Sequence, residues 1–321
     1  MRRRCLFVVP DPRARISGGN LYNLGLITAL REAGVDARVV ARDAVRATPD
    51  RRDEELCLVD SLYLSDVPRL RPCWLLAHYL PALVEGRSDL SDTERAALLA
   101  AEGFVAPSSF MADALSRLAP EGRPVVVVAP GIEVAHASSR VAPSADPHAG
   151  VARVHRAVMV ANLVPGKGLW ELLRALGSRR LPLVVVGSHE HDPEYAAKCR
   201  AAAPWVEFLG ERTHAETLAM VAASDFLVSS SRMESFGLAL AEARALGVPI
   251  VALDRGNAAA HADETTGGRL VRTHEELADE CIRLALDPVE VARRRDAATG
   301  SRPAQRTWAH AATDFSNAFR D

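Results

Sequence analysis

Lysine is almost missing from this chain. Only Lys167 and Lys198 occur among 39 basic side chains; the rest are arginine. The bias reads as nucleotide composition rather than physics, so a lysine that persists is worth following. Cysteine is scarce and dispersed. Cys5, Cys57, Cys73, Cys199 and Cys281 form no CxxC pair and no metal-ligand spacing. They read as reduced thiols filling a core, not as a disulfide framework. No apolar run approaches the roughly 18 residues of a spanning helix. The run in MRRRCLFVVP is too short for a signal peptide and reads as a first strand. An excess of one charge is also absent. Acidic residues number 41 against the 39 basic ones, a net charge of -2. That disfavours a nucleic-acid binder working by charge. Several motifs are missing. No GxGxxG follows the first strand, and Pro165-Gly166-Lys167-Gly168 lacks the upstream glycine and the hydroxyl of a Walker A loop. HExxH and GxSxG are absent. Together these absences make a dinucleotide oxidoreductase, a P-loop enzyme, a zincin and an α/β-hydrolase poor readings.

What is present is globular. The 321 residues are 48% hydrophobic, and that length predicts two domains. Apolar strand-length runs alternate with amphipathic helix-length stretches. Strands are expected at 5–10, 35–40, 55–60, 73–78, 104–107 and 124–130, and helices at 20–33, 91–103 (capped by Ser91 or Thr93) and 109–118. Residues 137–150 are rich in Ser, Pro, Gly and Ala without periodicity, and make the best linker. A second series then starts. Its strands are expected in 151–161, at 181–187, 206–210, 225–230, 248–253 and 267–271, and its helices at 168–177, 193–203, 214–223, 236–247 and 274–286. Alternation of this kind gives parallel sheets. The expected fold is α/β, with an N-terminal domain over 1–145 and a second over 146–300. Residues 301–321 carry Trp308, Phe315 and Phe319 on one helical face. That helix either caps its own domain or crosses back onto the first.

Ligands in such folds bind beyond the carboxyl ends of the strands. Three segments there carry chemistry. The densest is Ser229-Ser230-Ser231-Arg232-Met233-Glu234-Ser235-Phe236-Gly237-Leu238, running on to Glu242. It follows an apolar strand and opens a helix, with Ser235 as the expected N-cap. Exposed N–H groups and a glycine at a helix start make an anion site suited to pyrophosphate. Glu234 and Glu242, up to about 12 Å apart along a helix, would bracket that anion and accept hydroxyls on either side. The second segment, Asn162 to Leu169, follows the first strand of its domain and holds Lys167, a compact ammonium that approaches a diphosphate closely. The third, Ile16-Ser17-Gly18-Gly19-Asn20, follows strand one, and its two glycines permit close backbone approach. His189, His191 and His214 lie in or near loops of the second domain with no compact ligand set, and read as structural or surface histidines.

At these residues the chain resembles glycosyltransferase family 4, retaining enzymes of the GT-B fold. Ser231 to Gly237 and Glu242 match that family's paired-glutamate hallmark, and Glu242 to Ala252 matches its continuation. Lys167-Gly168, Gly18-Gly19, Ala129 to Glu133, and Val206-Glu207-Phe208-Leu209-Gly210 resemble further family elements in the same order. The resemblance covers nearly the whole chain. It departs from the family at Asn162, where an arginine is usual, with Arg232 as a candidate replacement, and at Pro130, where asparagine is usual.

The resemblance implies two Rossmann-like α/β/α domains facing a central cleft, an acceptor side at the N-terminus and a donor side after it. It implies a donor of the nucleoside-diphosphate-sugar class, no further cofactor and no metal. Lys167 and amides around Phe236, Gly237 and Leu238 would stabilise the departing diphosphate. Glu234 would hold sugar hydroxyls and Glu242 the ribose. Gly18, Asn162, Phe208 and Ser235 would line the donor site. Gly19 N–H would approach the reacting centre, and His78 would contact the sugar. The acceptor is a small molecule, a glycan or a lipid-linked hydroxyl, with nucleic acid excluded. The expected location is cytoplasmic, with peripheral contact at the inner face of a membrane through Arg2, Arg3 and Arg4 or apolar residues 62–84 as a further option. Oligomeric state is left open. Rival readings are an inverting GT-B transferase with His78 as base, a sugar-nucleotide epimerase, and a non-catalytic nucleotide-sugar binder.

Overall fold

The computed structural model describes residues 4–43, 55–134 and 155–320. Arg2, Arg3 and the linker candidate at 137–150 lie outside the described residues. The chain divides into two compact units. The first runs to Gly131 and resumes at Arg306; the second is Ile132–Gln305.

The first unit is built on β1 (Arg4–Val8), β2 (Asp36–Val39), β3 (Glu55–Asp60), β4 (Trp74–Leu76), β5 (Gly103–Ala106) and β6 (Val125–Val127). They form one sheet in the order β2-β1-β3-β4-β5-β6, and every pairing is parallel. Its helices are α1 (Gly18–Glu32), α2 (Pro81–Glu85), α3 (Asp92–Ala100) and α4 (Ser109–Leu118). Ser91, not Thr93, caps α3, in a reciprocal box with Glu94. Residues Ser61–Arg69 form a kinked 3₁₀ turn that apolar periodicity does not reveal.

The second unit carries β7 (Ala157–Val160), β8 (Leu183–Val186), β9 (Glu207–Gly210), β10 (Phe226–Ser229), β11 (Ile250–Leu253) and β12 (Arg269–Val271). Their order is β12-β11-β10-β7-β8-β9, again all parallel. Counted within the unit this is 6-5-4-1-2-3, the doubly wound order of a dinucleotide-type domain. β8, β10 and β11 are buried at every residue, as strands covered on both faces must be. The helices are α5 (Leu169–Leu176), α6 (Pro193–Ala202), α7 (His214–Ala223), α8 (Leu238–Leu246), α9 (His274–Ala285) and α10 (Pro288–Gly300). On α5, Leu169, Leu172, Leu173 and Leu176 make one buried stripe. α10 was not expected from the sequence. Its polar, arginine-rich run hides a start marked by Asp287 and Pro288.

The last helix, α11 (Trp308–Ala318), packs on α1 in the first unit. Space for it is cut into the partner surface. A Cβ on Gly25 would lie 2.2 Å from the Trp308 ring. Phe315 meets Phe7 at 6.2 Å, and Phe319 meets Trp74 edge-on at 4.7 Å. All five cysteines are free and buried, so they act as core fillers. Among the described residues no helix is long and apolar enough to cross a membrane.

Phe315 is 2% exposed. Phe315→Ala is expected to cost about 3–5 kcal/mol. Peptide-resolved hydrogen exchange checks this. Protection should fall in β1 and α1 while β7 and β8 stay protected; unchanged exchange in α1 would refute the docking.

Candidate active site

In a doubly wound sheet the crevice opens where strand order reverses. In the second unit that point lies between β7 and β10. The loops leaving these two strands are 161–168 and 230–237, which include two of the three segments singled out from sequence. They are stitched together. Ser230 Oγ donates to the Lys167 carbonyl at 2.8 Å, and Arg232 N–H donates to the Gly166 carbonyl at 3.0 Å. Gly168 permits the approach, since a Cβ there would sit 2.0 Å from the Ser230 carbonyl oxygen. The stitching brings Lys167 Nζ within 3.2 Å of Glu234 Oε1. The lysine keeps a third of its side chain exposed, and the glutamate is mostly covered.

Glu234 is braced from behind by the turn after β11. Asn257 N–H donates to its carbonyl at 2.7 Å, and a Cβ on Gly256 would lie 2.3 Å from that oxygen. The Phe236 carbonyl accepts from Asn257 Nδ2 at 2.8 Å and from His261 Nε2 at 2.6 Å. Burial pushes the His261 pKa down, against the opposing pull of the Phe236 carbonyl. The ring therefore stays a neutral donor.

The cap of α8 is Gly237, with φ 86, and not Ser235. A left-handed backbone at that point suits glycine, and the helix starts two residues later than Ser235 capping would require. No side chain caps α8 or α5. By contrast Ser17, Ser91, Ser108, Asp192, Thr213, Thr273 and Asp287 each cap their helix with a side-chain oxygen. The two helices at the switch point thus keep first-turn N–H groups free of side-chain caps. Because α8 begins at Leu238, Glu242 lies one turn inside it, a rise of about 6 Å, closer than expected.

Glu242 is buried, and its Oε1 lies 2.6 Å from His214 Nε2. The hydrogen bond to Glu242 raises the His214 pKa; burial opposes it, and Glu133 adds to it. Sequence reading gave His214 no role. Its position directly after β9, at the start of α7, was the available signal.

Not every expected residue joins this cluster. Asn162 Oδ1 accepts from Ser188 N–H at 2.8 Å, and its Nδ2 lies 3.3 Å from His191 Nε2, so it ties the loops after β7 and β8. Arg232 pairs with Glu171 at 2.6 Å on the first turn of α5. Nearly half of that arginine side chain remains exposed. Phe208 packs on the core of its own unit, and Arg200 lies 5.7 Å over its ring. Lys198 sits 4.0 Å over the Trp170 ring.

In the first unit, order reverses between β1 and β3. Gly18 and Gly19 open α1 there, capped by Ser17. Neither has a left-handed backbone. A Cβ on Gly18 would meet nothing within 4 Å, and one on Gly19 would make only ordinary contact with the His78 ring at 3.7 Å. The backbone does not demand these glycines, and glycine weakens a helix. His78, after β4, lies 2.9 Å from Asn23 Oδ1.

Two doubly wound units of this kind define the GT-B fold, shared with solved structures across nearly the whole chain. Sucrose-phosphate synthase from Thermosynechococcus elongatus matches with TM-score 0.75 and 17% identity, covering 99% of this chain and 98% of that one. HepE from Anabaena, solved in complex with UDP-glucose, matches with TM-score 0.74 and 18% identity, covering 98% of each. The glycosyltransferase WaaG matches with TM-score 0.68 and 14% identity over 99% of this chain and all of that one. Within this fold, residues 154–287 match the family model for glycosyl transferases group 1. Among curated proteins, the chain is 28% identical over 173 residues to the D-inositol 3-phosphate glycosyltransferase of Jonesia denitrificans, and 33% identical over 163 residues to that of Stackebrandtia nassauensis. The matches take in 49% and 46% of this chain and span 41% and 36% of those proteins.

The His214–Glu242 contact predicts a titration. His214 should titrate above its usual pKa. The stabilisation from the pair is then complete below the ordinary histidine value and is lost as pH rises through the raised one. NMR titration of the imidazole checks this. In Glu242→Gln the His214 pKa should fall back toward the ordinary value; no change would dismiss the contact.

Proposed function

We propose that the chain is a retaining glycosyltransferase that moves a sugar from a nucleoside-diphosphate sugar to an acceptor hydroxyl. The observation that carries the reading is the Lys167–Glu234 pair at the switch point, beside a helix that opens on glycine without a side-chain cap. The family model over 154–287 and the curated relatives' names support it.

In this reading Lys167 and the amides from Phe236 to Leu238 take up charge growing on the departing diphosphate, the role that fixed donors fill best in a preorganised site. That assigns the charge to protein groups rather than to a metal. Glu234 turns from Lys167 to the hydroxyls of the sugar as the ammonium engages phosphate. Glu242, held by His214, accepts the ribose hydroxyls. Gly18 and Gly19 leave the first turn of α1 open to the diphosphate, and His78 takes a hydroxyl of the transferred sugar. The acceptor proton passes to the leaving phosphate on the same face through an oxocarbenium-like state. No side chain then acts as nucleophile.

A mass-spectrometric screen of nucleotide sugars for binding and slow hydrolysis tests the proposal, with UDP-glucose first because HepE was solved with it. Lys167→Ala should slow hydrolysis about 10²–10³-fold, and Glu242→Ala should weaken binding. The donor site is wrong if neither variant weakens any donor that the wild type holds. The anomeric configuration of the product separates retention from inversion.

Gly18→Ala gives an independent check. It should stabilise the first unit by up to about 1 kcal/mol while weakening donor binding. Thermal melts and equilibrium binding read the two effects; tighter or unchanged binding would remove Gly18 from the site.

A further inference from the structure

One ring nitrogen of His78 is already committed. Nε2 lies 2.9 Å from Asn23 Oδ1, and Asn23 is fully buried. The other end of the Asn23 amide settles the direction of that bond. Nδ2 donates to Asp60 Oδ2 at 2.8 Å, and a carboxylate oxygen only accepts. Asn23 therefore turns its carbonyl to the imidazole, and a carbonyl also only accepts. Asp60 is fixed in turn. It is buried, and its Oδ1 accepts the Leu62 N–H at 2.9 Å as the cap of the turn at Ser61–Arg69. Along Leu62, Asp60, Asn23 and His78 each polar atom has one role open to it.

We infer that this relay holds His78 as the Nε2–H tautomer, so that Nδ1 is a bare acceptor that takes a hydroxyl or N–H of a ligand and rejects an oxyanion oxygen. Nδ1 makes no hydrogen bond among the described residues, and it is not among the sealed, unsatisfied polar atoms. Tyr22 holds the ring edge-on at 4.6 Å, and Gly19 lies against it. Burial lowers the His78 pKa more than Asp60 raises it, which keeps the ring neutral. Asn23 and Asp60 are positioning residues. The inference rests on the glycosyltransferase reading only for which hydroxyl arrives at Nδ1; the tautomer itself does not depend on it.

Long-range ¹H–¹⁵N spectra of the full chain with ¹⁵N-histidine, at about pH 8 where histidine is neutral, test the relay. His78→Gln assigns the ring among ten histidines. The wild type should show pyrrole-type Nε2 and pyridine-type Nδ1, with one tautomer favoured about tenfold or more, the effect of one buried hydrogen bond. Asn23→Ala should give a mixture. The exchange Asn23→Asp with Asp60→Asn keeps an acceptor facing Nε2 and a donor between the two positions, so it should restore the single tautomer even if Asn23→Ala folds poorly. Inorganic sulfate, which carries no O–H, should leave the Nδ1 signal unmoved. A wild-type Nδ1–H form, an equal mixture, an unaltered tautomer in folded Asn23→Ala, or a sulfate-induced Nδ1 shift would each overturn the inference. If the single tautomer stands but no nucleotide sugar binds, the relay survives and the glycosyltransferase reading falls.

Discussion

The second unit depends on one ion pair whose worth is positional. Lys167 and Glu234 come from loops 67 residues apart in sequence and meet at 3.2 Å. An ion pair this open to solvent adds little stability. It marks where two loops already held together by other contacts bring their side chains to one point. Ser230, Gly166 and Gly168 lock the first loop to the second, and the turn at Gly256–Ala260 locks the second from behind. The largely covered Glu234 carboxylate is tolerable because the ammonium faces it. Near-neutral net charge is compatible with a locally positive point, because that point is built from one side chain and two helix starts without side-chain caps, not from a basic surface.

The first unit solves a related problem with different parts. Its switch point has Arg13 and Arg15 in the loop leaving β1. It offers a glycine-opened helix and a histidine whose far side is anchored by buried amide and carboxylate groups. The two units thus differ in the side chains that stand there: the Lys167–Glu234 pair in the second, a histidine backed by a buried amide in the first.

Much of the layout was legible in the sequence because parallel sheets write themselves as apolar runs. LVVV, FLVS and IVAL are such runs, and all are strands. The paired glutamates and Lys167 were legible because they follow those strands directly. The partners were not. His214 acts through Glu242, Asn23 through His78, and Asn257 through a carbonyl of Glu234, and each pair is distant in sequence. A propensity argument put the α8 cap on Ser235, but the loop's need for a left-handed turn gave that place to Gly237. α10 stayed hidden because its buried face is small and its arginines, among them the buried Arg294, pair with carboxylates rather than with apolar neighbours.

The docking of α11 on α1 has a consequence for synthesis. The second unit is one uninterrupted stretch of chain, whereas the first is split around it. On a ribosome, the residues of β1 to β6 emerge first but wait for the whole second unit before Trp308 and Phe315 arrive to cover Gly25 and Phe7. The unit made first is therefore the unit finished last. Until then it exposes an apolar face, and a nascent chain with such a face is prone to association.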